Sequence, residues 1–187
     1  MPAAISFRMR LCANALAGHG VIACPTEAVW GLSCDPFSDV AVQRLLDLKQ
    51  RPAHKGLILV AGDESQLAFL LDDLPEALQR KVRVSWPGPN TWLVPHRGRV
   101  PALVHGRFES VAVRVSGHPL VRALCQAHGG PLVSSSANVA GSPAPKTLLA
   151  VRNYFGNRLD AVLPGLVGGA QRPSIIRDVF SDEVFRA

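Results

Sequence analysis

The chain has 187 residues, 48% of them hydrophobic and 18% charged, with 20 Lys and Arg against 14 Asp and Glu, a formal net charge of +6 and a sequence pI near 9.7. So much apolar content excludes a disordered chain, and the length suits one domain, residues 1–187, better than two. The cationic surplus creates a field that attracts anions, and it is uneven: between His96 and Arg122 stand Arg97, Arg99, Arg107, Arg114 and Arg122 with Glu109 as the one acid.

Taken in chain order, Ser6 to Ala17 has helix-like apolar spacing and is stopped by Gly18 and Gly20. Val21–Cys24 is a short strand running into Pro25. Asp39–Gln50 is an amphipathic helix with Val42, Leu45, Leu46 and Leu48 on its core face and Ser38 or Asp39 as cap. Gly56–Ala61 reads as a buried strand, Glu64–Leu71 and Pro75–Val84 as helices, and Thr91–Pro95 and Val111–Val115 as strands. His118–His128 is a helix closed by Gly129 and Gly130, Leu132–Ser135 a strand, and Thr147–Phe155 a helix closed by Gly156. Ala161–Leu163, Ile175–Val179 and Glu183–Phe185 are short strands. This mixture predicts an α/β or α+β domain, with strand order left open by the connection lengths.

Cys12, Cys24, Cys34 and Cys125 form no C-x-x-C pair and no zinc spacing, and Cys24, in an apolar run, reads as a buried thiol. The N-terminus has no apolar stretch followed by a small-residue cleavage site, and the longest apolar runs are too short to span a bilayer. The expectation is a cytoplasmic protein with no membrane contact and no protein-bound structural metal.

Six segments carry polar groups suited to chemistry. Pro25-Thr26-Glu27 with Gly31 follows a strand, where α/β proteins place ligands, although taken alone the string is better explained as a capped turn with Trp30 in the core. Lys49, Arg51, His54 and Lys55 cluster at a helix end, where cations suit the helix dipole and where they also suit a triphosphate, without a Walker A loop. Trp86-Pro87-Gly88-Pro89-Asn90-Thr91 is a rigid corner leading into a strand. In Ser110-Val111-Ala112-Val113-Arg114-Val115 the buried charge of Arg114 needs a ligand or an internal ion pair. Ser134, Ser135, Ser136 and Asn138 offer hydroxyls and an amide after a buried strand, without a nucleophile elbow. A glycine-bearing loop from Gly168 delivers Ser174 to the strand Ile175–Val179.

The order of these motifs, P-T-E-x-x-x-G, K-x-R with K-G-L-I-L-V, W-P-G-P-x-T, A-V-R-V, S-x-S-A-N-x-x-G and P-S-x-I-R-D, resembles the YrdC/Sua5 family from about Gly20 to Phe185, in its short bacterial form without the extra C-terminal domain of the long form. The resemblance implies a single-domain YrdC-like α/β fold, a twisted mixed sheet with flanking helices and a basic concave face. It implies condensation of L-threonine, bicarbonate and ATP, with Mg2+, to threonylcarbamoyl-AMP and pyrophosphate. The t6A transferase proteins then modify adenosine 37 of tRNAs reading codons that begin with A, and weak binding of tRNA or double-stranded RNA accompanies this role.

Carried over residue by residue, Thr26, Arg114, Ser134 and Ser174 surround threonine, with Arg114 on its carboxylate. Lys49 and Arg51 are the catalytic cations on the ATP phosphates, Ser110 and Ser136 lie near the nucleotide, and Asn138 supports that loop. Lys55 lies beside the nucleotide segment. Trp30, Ser135, Asn90 and Trp92 depart from the commoner family residues without removing any of these groups. Two other readings remain open at this point: an RNA-binding module without ATP chemistry, and a carbamoyl-adenylate-forming enzyme that uses carbamoyl phosphate.

Overall fold

The computed structural model describes residues 3–186. Its centre is a nine-stranded mixed sheet of β1 (Ile22–Pro25), β2 (Trp30–Ser33), β3 (Ile58–Ala61), β4 (Asn90–Pro95), β5 (Ser110–Val115), β6 (Leu132–Ser136), β7 (Ala161–Val162), β8 (Ile175–Asp178) and β9 (Val184–Arg186), ordered β7-β1-β2-β6-β3-β5-β4-β8-β9. The pairs β1–β7, β3–β5 and β4–β8 are parallel and the others antiparallel. The helices are α1 (Ala3–Ala17), α2 (Asp39–Lys49), α3 (Ala68–Leu71), α4 (Glu76–Val84), α5 (Ala102–His105), α6 (Pro119–His128) and α7 (Leu148–Phe155).

Helix ends follow local chemistry. The Ser38 hydroxyl accepts from Ala41 N–H at the start of α2, and Thr147 does the same for Ala150 at the start of α7. Gly129, at φ 86°, closes α6 in the left-handed region that only glycine adopts without strain.

Alternation along the strands puts two cores on opposite faces of the sheet. Trp30, Leu32, Leu59, Val94, Val113 and Val133 pack with Val42, Leu45 and Leu46 of α2. On the other face Ile22, Cys24, Val60 and Leu132 pack against Met9, Cys12 and Leu16 of α1 and Val121, Leu124 and Cys125 of α6. Helices α1 and α6 cover only part of that second face. Farther along the same strands the same-facing residues, Ile58, Ala112, Arg114, Ser134 and Ser136, open into a cavity.

The structure departs from the sequence reading at several points. Trp30–Ser33 is a strand, buried along its length and joined to β1 by the Thr26–Val29 turn, so the Pro25–Gly31 segment is a hairpin. Glu64–Leu71 is a 3-10 turn (Glu64–Leu67) followed by the single turn of α3. Strand β3 starts at Ile58, because Gly56 at φ 63° closes a 3-10 turn at Ala53–Lys55. The short helix α5 was not anticipated. All four cysteines are free and buried, and burial pushes the thiols up, to about 12 for Cys12, about 11 for Cys24 and about 12 for Cys125.

Candidate active site

The cavity encloses about 540 Å³. Its floor is the uncovered sheet face, and its rim comes from the Thr26–Val29 turn, the loop before Ser174 and the last strand. Of the residues singled out in the sequence, Thr26, Arg51, Lys55, Ser110, Arg114, Ser134, Ser136 and Ser174 all line it. They come from five separate stretches of chain, and the sheet order brings them together. Five cationic side chains line the cavity (Arg51, Lys55, Arg114, Arg172 and Arg186) against two carboxylates, Glu27 and Asp178. An anion entering this space meets a positive potential strengthened by the low-dielectric walls.

Arg114 makes the internal ion pair that was one of its two sequence readings, and its place at the cavity leaves the ligand reading open. It lies 2.9 Å from Glu27 as an ion pair with side chains only 8% and 17% exposed, and it also lines the cavity. Glu27 Oε1 accepts from the Ser116 hydroxyl at 2.6 Å and from Gly117 N–H at 3.0 Å. Burial alone would raise the Glu27 carboxyl, but the Arg114 charge and these donors outweigh it and hold the group below its ordinary value. The Thr26 hydroxyl donates to Val29 O at 2.8 Å, closing the hairpin turn that carries Glu27.

Arg51 is placed differently. Its guanidinium donates to Gly56 O at 2.9 Å and to Lys55 O at 3.4 Å, with no carboxylate partner among the described residues. Ser174, 2.7 Å from the Thr91 hydroxyl, is gripped by Arg186, whose Nε and Nη2 reach Ser174 O at 3.0 and 2.8 Å. Burial, then the neighbouring Arg114 and Arg51 charges, lowers the Arg186 value.

Lys49 and Asn138 do not line the cavity. Lys49 is 3% exposed, and its ammonium donates to Ser136 O and, at 2.8 Å, to Asn138 O. Its own carbonyl accepts from Ala140 N–H at 2.8 Å. Lys49 therefore fastens the Ser136–Ala140 loop from beneath. Burial and then the Arg51 charge depress its value to about 8. Asn138 donates to Ser142 O at 2.6 Å, while its buried Oδ1 has no partner among the described residues.

Sequence reasoning missed Arg186, Arg172, His105 and Phe108. Arg172 stood in the loop from Gly168 to Ser174, where its charge beside Pro173-Ser174 was a usable signal. Arg186 gave none: it reaches the site only because β9 returns antiparallel to β8.

Among the described residues no three His, Cys, Asp or Glu side chains converge as a metal cradle. The cavity carboxylates do not fit one either. Both Glu27 oxygens are occupied, and Asp178 Oδ1 accepts from Phe180 N, Ser181 N and Ser181 Oγ.

The Sua5_yciO_yrdC family model, described as telomere recombination, matches residues 14–187. The threonylcarbamoyl-AMP synthase of Stutzerimonas stutzeri is 56% identical over 180 residues, 96% of this chain and 97% of that one. The enzyme of that name from Saccharophagus degradans is 53% identical over 180 residues, 96% of this chain and 94% of that one. The crystal structure of P. abyssi Sua5 complexed with L-threonine superposes with a TM-score of 0.86 at 29% identity, covering 92% of this chain and 51% of that one, so this chain spans about half its length. E. coli YciO shares the fold, with a TM-score of 0.81 at 24% identity over 95% of this chain and 89% of that one.

Proposed function

From the premise that the chain belongs to the Sua5/YciO/YrdC family, we propose that it condenses L-threonine, bicarbonate and ATP to threonylcarbamoyl-AMP and pyrophosphate. The observation that carries this reading is the division of one cavity into two kinds of wall. One has a paired Arg114–Glu27 couple beside the hydroxyls of Thr26, Ser134 and Ser174. The other has Arg51 resting on main-chain carbonyls. The first suits a small amino acid, with Arg114 on its carboxylate. The second lacks a counter-ion and suits phosphates.

In the chemical step the amine of threonine, having given its extra proton to solvent, bonds to the carbon of bicarbonate with loss of water to give a carbamate. A carbamate oxygen then bonds to the α-phosphorus of ATP as the bond to the pyrophosphate oxygen breaks. The carbamate is already an anion, so no general base is required, and the protein contributes positioning and charge stabilisation. Arg51 offsets charge on the leaving pyrophosphate. Lys49 acts with it by holding the Ser136–Asn138 loop and adding positive potential next to Arg51. Ser110 and Ser136 face the nucleotide, and Asn138 braces their loop. Mg2+ belongs to this reading only as the companion of ATP phosphates, since no cradle for it stands among the described residues.

The product then passes to t6A transferase proteins for modification of tRNA, with weak RNA contact through the basic surface. That task places the protein in the cytoplasm. Among the described residues no helix is long and apolar enough to cross a membrane.

The test is pyrophosphate release from ATP with bicarbonate, with and without L-threonine, with the product identified by mass spectrometry. Threonine-dependent release with threonylcarbamoyl-AMP formed is the expected result. Folded protein that binds tRNA but releases no pyrophosphate overturns the proposal in favour of a binding role.

A further inference from the structure

The nucleotide wall carries a feature that the reaction above does not use. The His105 ring is stacked on the buried His96 ring with centroids 3.9 Å apart and planes 13° from parallel. His105 Nδ1 lies 3.0 Å from Phe108 O, a carbonyl that can only accept, so this nitrogen carries a proton. His96 Nδ1 accepts from Gly98 N–H at 3.1 Å, which requires the unprotonated nitrogen, and His96 Nε2 is buried without a partner among the described residues. His105 is thus fixed on one face and at one nitrogen. What remains for the cavity it lines is its other face.

The backbone around it is built to hold that position. Leu57 N donates to Val104 O at 2.8 Å and Arg107 N to His54 O at 3.3 Å, tying the α5 segment to the turn beside Arg51 and Lys55. Gly106, at φ 67°, sits where a Cβ would come 2.6 Å from His54 O and 2.7 Å from Gly56 N, so the two segments meet backbone to backbone. The rings of His105 and Phe108 thus line the cavity together with the cations Arg51 and Lys55. An aromatic plane next to uncompensated cations matches the chemistry of a nucleoside triphosphate: a base with a π-face and an anionic tail.

We propose that His105, immobilised by His96, is the base-binding residue of the site, with the purine of ATP lying on its free face. This rests on the nucleotide reading given above. It assigns His105 a contact with the base and none with the phosphates, which makes the two separable.

The experiment measures equilibrium binding of ATP and of inorganic tripolyphosphate, with L-threonine KM alongside, for the unsubstituted chain, His105→Ala and His105→Phe. Base stacking of ordinary strength predicts that His105→Ala weakens ATP about tenfold. Tripolyphosphate affinity and the threonine KM stay unchanged, and His105→Phe, which restores a ring, stays close to the parent in ATP affinity. Unchanged ATP affinity in His105→Ala overturns the proposal. So does an equal loss of ATP and tripolyphosphate, which marks a role in phosphate binding or in the fold of the turn. An unsubstituted chain that binds ATP but makes no threonine-dependent product overturns the synthase reading, while the comparison of ATP with tripolyphosphate still decides the role of His105.

Discussion

The two walls of the cavity handle positive charge in opposite ways. Arg114 is answered inside the protein by Glu27, which is itself held by Ser116 and Gly117. Arg51 rests on the neutral carbonyls of Gly56 and Lys55. A buried cation with its own carboxylate is held in place before any ligand arrives, and it fixes geometry. A cation with only carbonyl partners keeps an unspent field, and an incoming anion completes it. The first arrangement orients a small zwitterion. The second recognises multiple negative charge.

Substitutions can break this contrast. Arg51→Ala should lower kcat/KM for ATP by roughly 10²- to 10³-fold, as loss of a charge-stabilising donor does, while costing only about 1 kcal/mol of stability for the carbonyl bonds it loses. Steady-state kinetics with a thermal melt checks both halves. Lys49→Ala belongs to the same class, and a variant with full turnover would remove Lys49 from the mechanism.

Arg114→Met should behave the other way. It leaves Glu27 buried without its partner and destabilises the fold by roughly 3–5 kcal/mol, read from the urea midpoint. Adding Glu27→Gln should recover most of that stability without restoring saturation by threonine. If the double variant regains threonine use, the ion pair is structural and the paired wall does not read the substrate.

The pH dependence sharpens the same comparison. The Lys49 value lies near 8, below the ordinary 10.5, through burial. The cost of burying its charge is therefore fully present below about 8 and is relieved as pH rises toward 10.5, because the unfolded chain then binds more protons than the native one. Activity should move the opposite way, with kcat/KM for ATP falling above about pH 8 as the ammonium is lost. A flat activity profile from pH 7 to 10 (about two units on the acid side of Arg titration) would separate Lys49 from the chemistry. The smallest effect expected is that of salt. Raising ionic strength should increase the ATP KM a few-fold and leave the threonine KM nearly constant, since the unpaired charges are the more exposed to screening.

Much of the site was legible because its chemistry is local. Thr26, Ser110, Ser134, Ser136 and Ser174 each follow or begin a strand signal, and Arg114 interrupts an apolar run. Strand β2 was not legible: Trp-Gly-Leu-Ser is buried at every position and shows no alternation, so nothing distinguishes it from a core-facing turn. The direction of the Lys49 side chain was also hidden. Its place at the end of α2 fixes where the stem starts, but the carbonyls that receive it lie some 90 residues away, in Ser136 and Asn138.

The sequence by itself determined the longer helices with the Ser38 cap and the Gly129 stop, most of the buried strand segments, and the inventory of cations and hydroxyls, because those depend on periodicity and on chemistry between near neighbours. Only the tertiary structure decided which strands lie side by side, that Arg114 meets Glu27 87 positions away, that Arg186 returns to Ser174, and that His105 is pinned on His96 at the cavity wall. Those contacts join residues that carry no mark of one another in the chain, and they arise from closing one sheet and burying its two faces together.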